Sequence, residues 1–544
     1  MAQSVAIVGA GVSGLASIKC CLDEGLVPTC FERTDGIGGL WQFTETPQKG
    51  RLSVYRSVVS NTSKEMTCFS DFPFPKDCPN YLHHSALLEY LNAFAEHFHL
   101  LDYIRFKTTV RSIRKHPLFT ATGQWIVDTE TNGQCASAVF DAVMVCSGRY
   151  AELNLPLDSF PGIEDFKGQL FHSCEYRDER GLGGKNVVIV GAANSAGDIA
   201  VEISRVAAKV YLSTRSGTWV LSRVSDAGWP FDMVFTTRFN NLMEKLLPEC
   251  IVSRRKTMIF GQWFDHTNYG LIPVKRPWVS ITINDELPSC ILRGAVVVKP
   301  NIKRFTETSA IFEDGTVAEN IDVVIFATGY LSSFPFLEDS LCDASKSSCS
   351  LYKDIFPPHL ETSTLAFIGF IALLGSILPA AELQARWVTR VFKGTCKLPP
   401  VSRMINEVAQ RKNDQLKKGI PIDQDKVRRN FIPYMDEIGA CIGVKPNIPL
   451  LFLLDPRLAL AILFGPCTSY QYRLIGPGKW DEARSMILTQ WDRVLQPMKT
   501  RIIDDSPKPA LVPHWVTVLG LPTFLGAAIL IFKYYYPSWL PKIK

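Results

Sequence analysis

At 544 residues, with 58 basic against 53 acidic side chains and a net charge of +5, the chain suits about two to four domains with ample buried core. The small positive balance is not gathered into one run, which excludes the electrostatic footprint of a nucleic-acid binder. The 15 cysteines, an odd number without a C-x-x-C pair or a Cys/His zinc spacing, exclude a redox dithiol and point to a reduced, cytosol-facing protein with buried free thiols.

The first predicted element is a buried strand close to Met1, so no cleavable signal peptide is expected before it. Residues 5–14 read Val-Ala-Ile-Val-Gly-Ala-Gly-Val-Ser-Gly, a strand feeding a helix that bears Leu15, Ala16, Ile18, Cys21 and Leu22. The join is G-x-G-x-x-G. Gly9 allows the tight bend, Gly11 lets backbone approach a pyrophosphate, and Gly14 lets helix pack on strand. The phosphate then rests on the helix N-terminus, where free N–H groups and the macrodipole favour an anion. A second apolar run, residues 27–31, ends in Glu32, an acid placed to accept from a ribose 2′-OH and to repel a 2′-phosphate. The first nucleotide is therefore expected to be FAD or NAD, not NADP.

Gly38-Gly39-Leu40-Trp41 suggests backbone packed close to a flat ligand, and residues 55–75 read as loop and short helix. Asn61-Thr62-Ser63 matches a glycosylation sequon that a chain without secretion does not use. His83-His84 precede a helical pattern through Leu87, Leu88, Tyr90, Leu91, Phe94 and Ala95; with no carboxylate or third His at ligand spacing, no metal is expected. Strand-like alternation fills about 104–146 and closes on an apolar strand, led by Asp141, that ends in Ser147-Gly148. A like phrase returns at 321–330 and ends in Thr328-Gly329-Tyr330, so two dinucleotide folds are expected, each ended by a turn beside its cofactor.

The second fold starts near Asn186, where Val187-Val188-Ile189-Val190 leads into Gly191-Ala192-Ala193-Asn194-Ser195-Ala196. Gly191 keeps the turn, and Ala196 is a tolerated variant of the third glycine. Ala193 is a departure, since it places a methyl where backbone should meet pyrophosphate. The next strand ends in Thr214-Arg215-Ser216, hydroxyls and a guanidinium suited to a 2′-phosphate, so this site is expected to prefer NADPH.

Residues 219–300 interrupt the second lobe with an aromatic-rich stretch and the cluster Arg254-Arg255-Lys256, read either as a helical cap or as a membrane-facing or substrate-channel insertion. The apolar stretch 365–383 contains Gly369, Gly375 and Pro379, which favours buried strand and helix over a membrane span. Residues 396–436 read as a solvated helical face, and 446–480 as packed loops around short helices. Residues 515–532 carry no charge and precede Lys533-Tyr534-Tyr535-Tyr536. At ~1.5 Å per residue they span about 27 Å, close to a hydrocarbon core, and read as a tail anchor or monotopic insertion kinked at Pro522.

Residues 166–176, Phe-Lys-Gly-Gln-Leu-Phe-His-Ser-Cys-Glu-Tyr, match the F-x-G-x-x-x-H-x-x-x-Y signature of the flavin-containing monooxygenases. With the two fingerprints and the hydrophobic tail, the chain resembles a vertebrate-type member of that family over its full length. The resemblance implies an α/β fold of two Rossmann-like dinucleotide-binding domains with a helical insertion and a C-terminal membrane-anchoring helix. The expected division is 1–150 and 331–510 for the FAD domain and its completion, 151–330 for the NADPH domain with its insertion at about 219–300, and 511–544 for the anchor. It implies FAD in the first site and NADPH in the second, with hydride passing to the flavin and O2 adding at C4a. The resulting hydroperoxide oxygenates soft nitrogen or sulfur nucleophiles of small molecules. Gly9, Gly11, Ser13, Gly14, Glu32, Arg33, Gly39, Leu40, Trp41, Asn61, Thr62, Gly191, Asn194, Ser195, Thr214, Arg215, Thr328 and Gly329 are the expected cofactor contacts. Asn61 matches the family's catalytic Asn, a neutral amide able to bond the peroxide and the nicotinamide side.

The resemblance also implies the endoplasmic reticulum membrane, catalytic domains facing the cytosol, xenobiotic substrates, and an oligomeric state left open. Two departures stand out: Ala193, and Ala372 where relatives usually carry Gln. Together they suggest weak NADPH binding or an uncoupled, H2O2-producing NADPH oxidase, and they keep a non-catalytic flavin-binding relic as the alternative from another class. A Baeyer–Villiger ketone monooxygenase shares the two-fingerprint plan and ranks second, because its signature generally ends otherwise than in Tyr176.

Overall fold

The computed structural model describes residues 3–48, 50–273, 280–338, 351–417 and 428–501. The chain opens with β1 (Ser4–Val8), α1 (Val12–Asp23) and β2 (Val27–Phe31), then α2 (Lys64–Thr67) and α3 (His84–His97). It continues through β3 (Ile104–Arg105), β4 (Thr108–Lys115), α4 (Phe119–Thr122), β5 (Trp125–Thr131), β6 (Gln134–Phe140) and β7 (Ala142–Val145). Along β1 side chains alternate between faces. Val5 and Ile7 join the core with Leu15, Ile18 and Leu91, whereas Ala6 and Val8 join Val110, Trp125, Val127 and Phe140. One face of the first sheet is thus covered by helices, and the other by the antiparallel meander β4–β5–β6.

A ribbon strand β8 (Glu152–Leu153) and β9 (Gln169–His172) lead to β10 (Asn186–Val190), α5 (Asn194–Ile203) and β11 (Lys209–Ser213). The insertion begins with β12 (Trp219–Leu221), runs through α6 (Phe231–Phe235), α7 (Arg238–Leu246) and α8 (Glu249–Phe260), and returns as β13 (Ile281–Ile283), which pairs in parallel with β12. After α9 (Leu287–Leu292) come β14 (Val296–Lys299), β15 (Ile302–Phe305), β16 (Ala310–Phe312), β17 (Val317–Ala318) and β18 (Val323–Phe326). The second sheet, β14-β11-β10-β18-β9, is parallel throughout and repeats the plan of the first. Val187 and Ile189 face α5, while Val188 and Val190 face Phe160, Phe166, Phe305 and Phe312 beside another three-stranded antiparallel sheet.

The chain leaves the second lobe by β19 (Tyr330–Leu331), antiparallel to β8, and rejoins the first as β20 (Leu365–Phe367) beside β7. The first sheet is then complete in the order β20-β7-β1-β2-β3, all parallel. Beyond a short β21 (Leu373–Leu374), α10 (Ile377–Phe392) packs along α1, so the 365–383 stretch is strand and helix as expected. The solvated face expected over 396–436 holds for α11 (Val401–Lys417), where Met404 and Val408 are the buried positions. It fails after β22 (Arg429–Asn430), because α12 (Phe431–Cys441) puts Phe431, Ile432, Tyr434, Met435 and Ile438 into the core. The charge-dense α11 hid that change of character. Helices α13 (Ile448–Leu454), α14 (Pro456–Phe464) and α15 (Ala483–Leu495) finish the described chain.

The 13 cysteines among the described residues are all free thiols, most of them buried. Among the described residues no helix is long and apolar enough to cross a membrane. The tail expected to anchor the chain, 511–544, lies outside the described residues.

Candidate active site

The first phosphate turn is built as its sequence requires. Gly9 has φ +99°, a conformation that L side chains rarely adopt, and bonds Phe31 O through its N–H (2.8 Å). A Cβ on Gly14 would stand 1.9 Å from Gly9 O, so helix and turn meet only because that atom is absent. Gly11 is the N-cap of α1, without a side-chain cap and with no acid in the first turn. Its free N–H groups open on the cavity, a cradle made for an anion. Gly38 and Gly39, both at positive φ, lean onto this turn, with Gly38 N donating to Ala10 O (3.0 Å). Glu32 is buried and braces the same turn. Its Oε2 accepts from Ala10 N (2.8 Å), and its Oε1 from Thr34 N (2.9 Å) and Thr34 Oγ1 (2.8 Å). An ionised carboxylate has further lone pairs, so this bracing leaves capacity for a ribose hydroxyl.

The second turn repeats the first with one atom added. Gly191 sits at φ +120°, and a Cβ there would meet Ala327 O at 2.5 Å. Ala193 is the N-cap of α5 at φ −87°, ψ −175°, against −75° and −168° for Gly11 at the matching place on α1. The backbone therefore asks for no glycine at either position, and Ala193 is unstrained. Its exposed methyl stands on the cavity wall at an uncapped helix N-terminus. Asn194 Oδ1 accepts from Ile283 N (2.9 Å) and Thr282 Oγ1 donates to Ala192 O (2.5 Å), so the insertion's β13 holds this turn from outside. Thr214 Oγ1 accepts from Gly217 N (3.0 Å), while the neighbouring Arg215 is exposed.

Asn61 lies in the turn before α2. Arg223 Nη2 donates to Asn61 Oδ1 (2.9 Å), Nε to Ser60 O (3.0 Å), and Nη1 to Asp285 Oδ2 (2.7 Å). A guanidinium has no acceptor, so the oxygen of Asn61 faces Arg223 and the NH2 is the end left to offer. The two N–H donors of that NH2 are the part of the amide that Arg223 does not engage. Tyr55, on the first lobe, donates to Asp198 Oδ2 on α5 (2.5 Å), and Asn284 Nδ2 donates to Asp198 Oδ1 (2.8 Å). Burial raises the Asp198 carboxyl above the usual carboxylate range and Tyr55 well above the usual phenol range.

The eleven-residue signature is structural. A Cβ on Gly168 would meet Asp322 O at 2.6 Å, and Phe166 and Tyr176 are buried. His172 is fully buried, with Nε2 donating to Gly329 O (3.0 Å) and Nδ1 accepting from Cys174 N (3.2 Å). Its imidazole thereby ties the end of β9 to the Thr328–Gly329 turn, and burial lowers its pKa.

Of the 18 residues expected at the cofactors, 17 line one cavity of about 2570 Å³; Gly14, whose part is packing, does not. Ligand pockets ordinarily measure ~300–1,000 Å³, so this one has room for two nucleotides and a substrate. Ala193 and Ala372 line it too, as do Arg223, Asp232, Tyr55 and Asp198, which sequence reasoning did not single out. Nothing local marked them, since each acts on a partner far along the chain. The glycine cradles and the two uncapped helix N-termini fit dinucleotide phosphates.

Two glycine-type turns, each feeding an uncapped helix N-terminus that opens on one cavity, suit an enzyme that binds two dinucleotides. The family described as FMO-like, flavin-binding monooxygenase-like, matches residues 2–533, and the chain belongs to it. It is a flavin-dependent monooxygenase. The chain is 56% identical to the N-oxide-forming dimethylaniline monooxygenase 4 of the rabbit Oryctolagus cuniculus, over 98% of this chain and 96% of that one. Among solved structures, S-allyl-L-cysteine S-oxygenase from Allium sativum is 24% identical with TM-score 0.61, over 84% of this chain and 92% of the other. Cyclohexanone monooxygenase from Rhodococcus sp. Phi1 bound to NADP+ is 17% identical with TM-score 0.56, over 81% and 98%. Both likenesses concern the fold alone.

Proposed function

We propose that the first seat holds FAD and the second NADPH, and that the enzyme oxygenates soft nitrogen or sulfur atoms of small molecules with O2. The observation that carries the assignment is the pair of unequal turns. The first ends in Glu32 and excludes a 2′-phosphate, whereas the second ends in Thr214 and Arg215 and favours one. When bound, the flavin supplies electron transfer from the nicotinamide and the activation of O2. The chain supplies the rest. The free N–H groups of α1 and α5 seat the two pyrophosphates. Asn61 offers an uncharged N–H donor, fixed in direction by Arg223. Phe231, Phe235, Ile371, Leu378 and Phe431 form an apolar part of the wall that excludes water and suits an uncharged amine or thioether.

The rabbit relative's name records N-oxide formation, which supports the nitrogen nucleophiles. Residues 1–150 and 331–510 then serve FAD and 151–330 NADPH, with 511–544 anchoring the chain in the endoplasmic reticulum membrane and its lobes in the cytosol. Anaerobic NADPH should bleach the flavin, and oxygen with an amine or thioether should then yield N-oxide or S-oxide. A lactone or ester from a simple ketone in their place would mean the Baeyer–Villiger reading. A yellow protein that NADPH does not bleach would mean the relic.

A further inference from the structure

The turn at residues 59–63 is gripped at both ends by the insertion. At its carbonyl end Arg223 donates to Ser60 O, to Asn61 Oδ1 and, more weakly, to Val59 O (3.4 Å). At its amide end Asp232, in the first turn of α6, accepts at Oδ2 from Ser63 N (2.7 Å) and Ser63 Oγ (3.0 Å). The other Asp232 oxygen accepts from Met233 N (3.0 Å), so the carboxylate is fixed by its own helix. Ser63 is the N-cap of α2, but its hydroxyl makes no cap within that helix. Asp232 takes the place of the cap from across the cavity wall, an anion at a helix N-terminus. With one turn of helix, α2 cannot hold itself in register, so what sits before it is placed by outside contacts.

We propose that Asp232 is a positioning residue for the oxygenation. Together with Arg223 it sets where the Asn61 amide stands, so the insertion between β12 and β13 decides how that amide is aimed. Cation on the carbonyl end and anion on the amide end leave the turn one orientation. Removing the anion leaves it held from one side only. This rests on the reading of Asn61 as the amide at the reacting end of the cavity.

The carboxyl of Asp232 is pushed up to about 6 by its burial. The ionisable groups around it are Arg223 and Asp285 of the insertion, and Tyr81, whose hydroxyl donates to Arg223 O (2.6 Å). On α2, Lys64 is occupied by the Lys76 and Cys78 carbonyls and Glu65 by Arg493 and Tyr470. Asp232, held at about 6 and bonded directly to the Ser63 end of the turn, is the group through which pH reaches Asn61.

The test uses the full-length, FAD-loaded enzyme and three variants: Asp232→Asn, Asp232→Ala and Ser63→Ala. Each uncoupled turnover converts NADPH, a proton and O2 into NADP+ and H2O2, so H2O2 released per NADPH oxidised, with a thioether saturating, reads the aim of the amide. FAD content and thermal midpoint report folding separately. In Asp232→Ala the ratio should rise about tenfold at pH 7.5, with a smaller rise in Ser63→Ala. In the parent enzyme it should climb as pH falls from 8 to 5, while Asp232→Asn is raised and flat. A FAD-replete Asp232→Ala with the parent's ratio, or an Asp232→Asn with the parent's pH dependence, would overturn the proposal. A parent enzyme that NADPH fails to bleach would instead overturn the functional reading beneath it.

Discussion

Single side chains decide the character of both seats. Ala193 and Gly11 share backbone angles, so the methyl of Ala193 is a difference in what the wall presents, not in how the chain folds. An added carbon in a tight seat costs on the order of 1–3 kcal/mol, or roughly 5- to 150-fold in affinity. We therefore expect Ala193→Gly to lower the Kd for NADP+, measured calorimetrically on the FAD-loaded enzyme, by at least about fivefold without changing FAD content. An unchanged Kd would mean that the pyrophosphate sits clear of the methyl. Asp232 makes a second residue-scale case. Its folded pKa of about 6 lies above the ordinary aspartate value of 3.8, so between about pH 4 and 6 the folded state holds the proton more firmly than the unfolded one. Stability contributed by this group is present at low pH and lost as pH rises through that window, by at most about 3 kcal/mol. The thermal midpoint of Asp232→Asn should accordingly gain on the parent's in going from pH 4.5 to pH 7. A constant difference across that range would place the titration elsewhere.

At the scale of elements, each seat is a strand end, a glycine turn and a helix N-terminus whose spacing is set by atoms that are missing. Gly14 is the strictest of these positions, because a Cβ there lies inside the van der Waals shell of Gly9 O. Gly14→Ala must push α1 off β1 and spoil the cradle. We expect the purified variant to lose most of its FAD, read from the ratio of visible to ultraviolet absorbance, and a full flavin complement would refute the packing account. The second lobe carries Ala196 at the corresponding position, fully buried, so its helix and turn meet by another fit. The signature at 166–176 belongs to this scale too. Its glycine, histidine and aromatics dock β9 against β18, and His172 reaches the cofactor turn through Gly329 O and the Tyr330 ring.

Across the whole molecule, a buried ionic network fastens the C-terminal region to the first lobe. Arg473 reaches Glu382 of α10 (2.6 Å), Asp71 (2.8 Å) and Ser70 Oγ (2.6 Å), and Lys19 of α1 completes it at Asp71 (2.9 Å). Glu382 also accepts from Ser70 N and Ser70 Oγ, both at 2.7 Å. Breaking such a set by removing one partner leaves a buried charge uncompensated, at a cost of about 3–5 kcal/mol. Glu382→Gln should lower the thermal midpoint by several degrees and leave the Kd for NADP+ unchanged, because the network stands away from the second seat. An undiminished midpoint would show that Arg473 finds full compensation at Asp71. The two lobes are joined at the cavity by Tyr55 with Asp198 and beyond its wall by Ser57 with Glu202 (2.6 Å), so the cavity runs along a lobe interface.

Both phosphate turns, the acid and the guanidinium after them, the buried strands and the departure at Ala193 were legible in the amino-acid order. A tight turn, a close backbone approach and a strand end are demands on consecutive residues, and consecutive residues spell them out. The partners of the turn that carries Asn61 were not legible, because Arg223 stands 162 positions from Asn61 and Asp232 169 positions from Ser63, in a stretch that reads as an aromatic-rich cap. Nor did charge density along the chain reveal that α12 turns its apolar face into the core directly after the solvated α11. Local order spelled out two dinucleotide turns, the first followed by an acid and the second by a guanidinium. Which side chains face one another across the cavity between them was settled only when the insertion folded back, since contacts between distant residues leave no period or spacing to read.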